Sequence, residues 1–169
     1  QLPTIHSDDP DYWAIASTRP SAQYGGKVVA VSEHIARLVK ERGLDHDFPV
    51  IPYGVEVPSQ TTTYRSNPFR VVYSGRLVEA QKRLSLISST LVRACEINPN
   101  ICATIIGDGS SRTSCQKAIV DAGLAHRILL SGRLTPEQVK QELLDAQAIL
   151  LMSDYEGLPV ALLEAMAAG

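Results

Sequence analysis

Four charged residues stand where the chain could grip an anion and the hydroxyls beside it. Arg76 and Lys82 share a loop that follows the apolar run Phe69–Ser74, and Glu156 and Glu164 frame the stretch Ser153–Gly169, which reads SDYEGLPVALLEAMAAG. Arg76 offers a planar fork for phosphate oxygens and Lys82 a mobile point charge; a plain solvated surface pair is the alternative. In the second stretch the chain turns at Gly157 and restarts as a helix at Pro159, a residue suited to the first helical position because its missing N–H would be unpaired there. The backbone amides from Gly157 to Ala161 are then free and backed by the positive end of the helix dipole, which makes an anion site. Glu164 lies in an otherwise apolar helix, a kind that is normally buried. Counted from Pro159 it sits roughly 7–8 Å along the axis at about 1.5 Å per residue. A carboxylate there can meet hydroxyls of a ligand whose phosphates rest on the helix start. It can equally pair with a buried Arg or cap a neighbouring element.

These residues need a scaffold, and the pattern supplies an α/β one. Leu2–His6 reads as a short strand and Lys27–Val31 as a better one. Ser32 is the expected N-cap of a helix over Glu33–Arg42, stopped by Gly43, and Ile35, Leu38 and Val39 form its apolar stripe. Val50–Val55 reads as a strand ending in a Pro/Gly turn. From Val57 to Pro68 there is almost nothing to bury, so residues 59–67 form the expected linker between domains 1–58 and 68–169. The second part alternates strands at Phe69–Ser74, Cys102–Ile106, Arg127–Ser131 and Ala148–Met152 with helical stretches. One carries Leu84, Leu86, Ile87, Leu91, Val92 and Ala94, and another runs from Ser111 to Gly123. Thr135-Pro136-Glu137-Gln138 predicts an N-cap, a first-turn proline and a capping-box glutamine ahead of a helix with Val139, Leu143 and Leu144 inward. Near-continuous apolar strands between amphipathic helices predict a doubly wound, Rossmann-like parallel sheet.

In such a sheet ligands bind beyond the carboxyl ends of the strands. The loops there are Gly75–Lys82, Gly107–Ser110, Ser131–Leu134 and Ser153–Pro159, and each contains glycine, which lets a backbone approach a ligand closely. The dinucleotide fingerprint fails: Arg112 takes its third glycine position, and Ile128-Leu129-Leu130 stands where an acidic ribose ligand belongs. The GxxxxGK[ST] pattern of nucleotide hydrolases is absent. Charge argues against nucleic acid, since 16 Lys and Arg against 18 Asp and Glu give a net charge of -2. No apolar run approaches the ~20 residues of a membrane span, and Gln1–His6 has no signal-peptide pattern. Cys95, Cys102 and Cys115 lack metal-ligand spacing and read as core residues in a reducing compartment, so a cytoplasmic place is expected. No metal is called: Asp8 and Asp9 have no third ligand. His34, His46 and His126 read as surface; His6, directly after a strand, differs in position.

The motifs resemble a known family. Glu-x7-Glu inside SDYEGLPVALLEAMAAG is similar to the donor-site signature of retaining glycosyltransferases of the GT-B fold, family 4 (glycosyl transferases group 1). VVYSGRLVEAQKRL resembles that family's phosphate loop, with a spacing from Arg76 to Lys82 one residue longer than in many members. ATIIGDGSSR resembles its Gly-Asp-Gly turn, around Gly107, and VVAVSEHIARLV and VIPYGVEVP resemble the end of its N-terminal domain and the crossover. The resemblance runs from about Lys27 to Gly169.

It implies transfer of a sugar from a nucleotide diphosphate sugar, UDP- or GDP-linked, to a glycan, lipid or small-molecule acceptor, with retained configuration and no required cofactor or metal. Arg76 and Lys82 would neutralise the leaving pyrophosphate, and amides of Gly157 and Leu158 would support it. Glu156 would contact the donor sugar, Glu164 the ribose, and the backbone from Gly132 to Leu134 the base. His6 would match the N-terminal-domain histidine that reaches the donor sugar. The missing starting Met and the end at Gly169 suggest a GT-B fold cut short, inactive when isolated and prone to associate through an exposed Ala148–Met152 edge. A peripheral place at the inner membrane face is expected of the whole protein. The competing readings are a nucleotide-sugar-binding module without chemistry and a GT-B epimerase, which would share the sheet but not the Glu-x7-Glu.

Overall fold

A computed structural model describes residues 4–6, 29–43, 49–65 and 67–169. Leu2, Lys27, Val28, Asp8, Asp9 and His46, which figured in the expectations above, lie outside the described residues. The chain divides into two compact units, Gln1–Gly54 with Tyr155–Val160, and Val55–Asp154 with Ala161–Gly169.

In the first unit, β1 (Thr4–Ile5) pairs in parallel with β2 (Val29–Ala30), which leads into helix α1 (Glu33–Glu41). Ser32 caps α1 by accepting the Ile35 N–H at 3.2 Å, and Gly43 follows with a φ of 75°. The stripe at Ile35 and Val39 is buried with Ala30, Val31 and Ala36, and Leu38 packs against them. Val50–Val55 forms no strand. Only an isolated bridge joins Ala30 to Val50, with Ile51 N–H on the Ala30 carbonyl at 2.9 Å. The next donor toward β2 is Tyr53 N–H, and the Ser32 carbonyl opposite it already accepts from Ala36 N–H as α1 begins.

The second unit is built on a four-stranded parallel sheet. Its strands are β3 (Phe69–Ser74), β4 (Ile101–Ile106), β5 (Ile128–Gly132) and β6 (Ala148–Ile149), in the order β5-β4-β3-β6. Consecutive residues of β3 face opposite ways, as strand geometry requires. Tyr73 enters a core with Leu77, Leu84, Ile87, Leu91, Ile105, Cys115 and Ile119. Val72 enters another with Ile106, Leu143, Ala146 and Ala168. Both faces are therefore covered, which is why the strands are apolar throughout. One face carries the short helix α2 (Glu79–Lys82), α3 (Leu84–Ile97) and α4 (Arg112–Asp121); the other carries α5 (Pro136–Leu144) and α6 (Val160–Ala168), the last shared with the first unit at Val160. The capping box at α5 forms as expected: Thr135 accepts from Gln138 N–H, and the Gln138 side chain accepts from Thr135 N–H. Among the described residues no helix is long and apolar enough to cross a membrane.

The helix expected with Leu84, Leu86, Ile87 and Leu91 forms as α3, and the expected loop Gly75–Lys82 contains the short helix α2, set off from α3 by Arg83 at a left-handed φ of 52°. Two further expectations are corrected. The last strand is shorter than Ala148–Met152; Leu150 N–H still reaches the Val72 carbonyl at 2.8 Å, but the ladder ends at Ile149. Helix α6 is not buried all round: Met166 is 70 % exposed and Val160 40 %, and only Ala168 is fully covered. Among its described residues the polar stretch before β3 carries no helix or strand, and Thr62 ties it to α5 and α6. Its N–H donates to the Ala168 carbonyl and its hydroxyl to that of Leu143, two carbonyls at helix ends that have no partner within the helix.

Arg127 closes the amino side of the sheet. Its guanidinium donates to the carbonyls of Cys95, Asn98 and Ile101, gathering the end of α3 and the start of β4. Arg127→Met should cost about 2–3 kcal/mol, because the charge-assisted bonds go and partly buried carbonyls lose their donors. Urea unfolding checks this: the midpoint should fall with the slope unchanged.

Candidate functional site

The carboxyl ends of β3, β4 and β5 lean on one another through their backbones. Gly75 N–H donates to the Ile106 carbonyl at 3.0 Å and Gly107 N–H to that of Gly132 at 2.8 Å. A side chain on Gly107 would place its Cβ 1.9 Å from the Gly75 carbonyl oxygen, and one on Gly109 would sit 2.4 Å from that of Leu77. These two glycines are therefore demanded by neighbouring loops, a sufficient reason for them before any ligand is considered. Leu77, fully buried, pins the loop Gly75–Lys82: its N–H donates to the Asp108 carbonyl and its carbonyl accepts from Ser111 N–H.

On that frame Arg76 is exposed, and its attachments are specific. Its carbonyl accepts from the Tyr73 hydroxyl at 2.9 Å, and its guanidinium donates to Gln81 Oε1 at 2.5 Å. Gln81 is only 7 % exposed, one of the few buried polar residues. Its carbonyl accepts from Asp154 N–H at 3.0 Å, and the neighbouring Arg83 pairs with the Asp154 carboxylate at 3.0 Å. The loop after β3 is thus tied to Asp154. Lys82 closes α2, half-buried. Gln81 is the residue that sequence reasoning missed; its signal was a neutral amide beside a lysine at a loop-to-helix step, too common to single out.

Leu134 packs its side chain partly into the core around Val72 and Ile106, so its backbone is what remains for a ligand. Next to it Gly132 has a φ of 76°, and one guanidinium nitrogen of Arg112 lies 3.5 Å from where a Gly132 Cβ would be. That nitrogen is buried and has no hydrogen-bond partner among the described residues.

Glu164 is half-buried in α6, and among the described residues no hydrogen bond or ion pair reaches it. Among the described residues no Arg pairs with it. Burial pushes its carboxyl above the ordinary carboxylate value. The folded state then holds the proton more tightly than the unfolded chain. The cost is present above the raised folded pKa and vanishes as pH falls below the unfolded value. Glu164→Gln should therefore stabilise the chain at pH 7 by a fraction of a kcal/mol, small because solvent still screens the group. The gain should disappear near pH 3 in urea melts. A residue that costs stability without a partner is the kind retained for a ligand.

Glu156, Gly157 and Leu158 belong to the first unit, as does His6. His6 follows β1, exposed, its Nδ1 hydrogen-bonded to the Tyr53 hydroxyl and its ring stacked on Tyr53, centroids 5.9 Å apart. Leu158 packs against the core of α1. Of the site residues expected from sequence, the second unit holds Arg76, Lys82, Gly107, Leu134 and Glu164. Among the described residues no cluster of His, Cys, Asp and Glu could hold a metal ion.

With this geometry in place, residues 59–169 match the family model described as glycosyl transferases group 1. The chain belongs to this family. It is 32% identical over 152 residues to the lipopolysaccharide 1,6-galactosyltransferase of Salmonella typhimurium, covering 86% of this chain and 42% of that protein. It is 30% identical over 160 residues to the GDP-mannose:cellobiosyl-diphosphopolyprenol alpha-mannosyltransferase of Xanthomonas oryzae, covering 93% of this chain and 42% of the relative. The chain thus spans 42% of the length of these glycosyl transferases. The apo lipopolysaccharide outer core galactosyltransferase WaaB superposes with a TM-score of 0.69 at 31% identity, over 86% of this chain and 42% of that one. TarM of S. aureus, crystallised with UDP, superposes with a TM-score of 0.82 at 20% identity, over 98% of this chain and 34% of its own, which speaks for the fold. The architecture is α/β of the GT-B type, as this family's sequence pattern implies.

Proposed function

We propose that this chain is the donor-handling part of a retaining family 4 glycosyltransferase that moves a sugar from a UDP- or GDP-linked donor to an acceptor. The observation that carries the reading is Arg76, exposed at the carboxyl end of β3 with its guanidinium held by the buried Gln81. A phosphate-binding arginine works best when its fork is held before the ligand arrives. In the transfer, the bond between the anomeric carbon and the β-phosphate oxygen breaks, and the diphosphate leaves with the electron pair. Arg76 and Lys82 take up the charge that grows on it, an interaction stronger in the transition state than in the ground state. Glu164 accepts hydrogen bonds from the ribose hydroxyls, Glu156 and His6 contact the donor sugar, and the Gly132–Leu134 backbone meets the base. Residues 1–58 serve as the end of the acceptor-side domain, 59–67 as linker and 68–169 as donor domain. The relatives named as acting on lipopolysaccharide and on a diphosphopolyprenol-linked sugar favour a glycan acceptor carried on lipid, handled at the inner membrane face.

The 169-residue chain alone should bind a nucleoside diphosphate and transfer no sugar. Glu164→Gln, which gains stability at pH 7, should lose about 5–10-fold in diphosphate affinity, because a neutral amide accepts weaker hydrogen bonds than a carboxylate. Calorimetry on the chain and its variant tests the reading. Unchanged affinity would remove Glu164 from the site, and sugar transfer by the chain alone would refute the expected inactivity.

A further inference from the structure

One hydroxyl in the first unit makes two bonds. Ser32 Oγ accepts the Ile35 N–H at 3.2 Å as the cap of α1, and it donates to the Gly157 carbonyl at 2.9 Å. A serine hydroxyl has a single proton, and here it is spent on Gly157. The peptide joining Gly157 to Leu158 is planar and trans, so its N–H points opposite to its C=O. A carbonyl held by Ser32 therefore aims the Leu158 N–H away from the start of α1. Among the described residues nothing accepts that N–H. The Leu158 side chain, packed against the Ala30, Val31, Ile35, Ala36 and Val39 core, fixes the other end of the same residue. Two anchors set this peptide plane, and among the described residues its one donor meets no acceptor.

We propose that Ser32 is a positioning residue for donor binding, clasping the Gly157 carbonyl so that the Leu158 amide is preset to receive an anionic oxygen of the nucleoside diphosphate sugar. The proposal rests on the reading of Gly157 and Leu158 given above. An amide fixed in advance spares the ligand the ordering cost of a glycine-containing turn. The helix cap alone does not require the second bond: any N-cap oxygen satisfies Ile35.

Two substitutions separate cap from clasp. Threonine keeps both the acceptor and the donor. Aspartate caps a helix as well as serine does but, ionised, has no proton to give and repels the Gly157 carbonyl. The full chain and its Ser32→Thr and Ser32→Asp variants should unfold with equal cooperativity in urea. In titrations with UDP and GDP, Ser32→Thr should bind within about twofold of the unaltered chain and Ser32→Asp about tenfold more weakly, the share of one well-placed amide on an anion. Wild-type affinity in Ser32→Asp would overturn the clasp while leaving the donor-site reading standing. Should the unaltered chain bind neither nucleotide, the donor-site reading falls instead. The clasp is then judged on the 15N relaxation of the Leu158 amide. Rigidity in the unaltered chain with mobility in Ser32→Asp supports it, and equal mobility in both overturns it.

Discussion

Gly107→Ala is expected to destabilise the chain by about 4 kcal/mol or more, a loss that belongs to the exceptional end of single substitutions. Gly107 has a φ of 131°, where a side chain is strained whatever the space, and its Cβ would fall 1.9 Å from the Gly75 carbonyl oxygen. Strain of this kind costs about 1–3 kcal/mol by itself. Relief would require the ends of β3 and β4 to part. That would break the bonds from Gly75 to Ile106 and from Gly107 to Gly132, each worth about 1 kcal/mol. Gly123 is the control. It too has a positive φ, 69°, but nothing lies within 4 Å of its Cβ position. Gly123→Ala should therefore cost only about 1–2 kcal/mol, the left-handed penalty alone. Paired urea melts measure both, and equal losses would mean that the crowding at Gly75 is not what demands Gly107.

Arg76→Ala is expected to weaken binding of UDP or GDP about 10–100-fold, the worth of one or two charge-assisted hydrogen bonds to phosphate. Stability should fall by only about 1 kcal/mol, since Arg76 is exposed and the loss is confined to the Gln81 amide left behind. In the whole enzyme the same change should lower the transfer rate about 10²–10³-fold, because charge on the departing diphosphate grows toward the transition state. Arg76→Lys should fall between: it keeps the charge but loses the two-pronged geometry. A lysine variant as poor as alanine would place the value of Arg76 in its bond to Gln81 rather than in its charge.

Local chemistry was legible wherever a segment carries its own instructions. Phe69–Ser74 is an apolar run stopped by Gly75, and the strand has those bounds. Thr135 to Gln138 contains its whole capping box, and the box forms. Features set by distant partners were not legible. Arg127 looked like the first residue of a strand, yet its role is fixed by carbonyls of Cys95, Asn98 and Ile101 on another element. Val50–Val55 had strand-like residues, but a ladder needs a neighbour with free acceptors, and beyond Ala30 the Ser32 carbonyl is taken by Ala36 N–H in α1. Helix α6 looked buried because its residues are apolar; how much of it is covered depends on what packs there, and Met166 stays exposed. The glycines at the strand ends were correctly placed, but their cause was open to two readings. Residue type cannot distinguish a close ligand from a close loop. Arg76 and Lys82 were visible as paired basic residues in a loop at a strand's carboxyl end, and Glu164 because it departs from an otherwise apolar helix. Gln81 was not, since burial alone distinguishes it.

The central claim is that a pyrophosphate is what this surface grips, and paired titrations of the chain with UDP and UMP, and with GDP and GMP, test it most directly. The account predicts that at least one diphosphate binds about tenfold or more tightly than its monophosphate. It also predicts that the difference shrinks as salt is added and disappears in Arg76→Ala. Equal affinity for the diphosphate and monophosphate of both bases, or a difference that survives in Arg76→Ala, would contradict it.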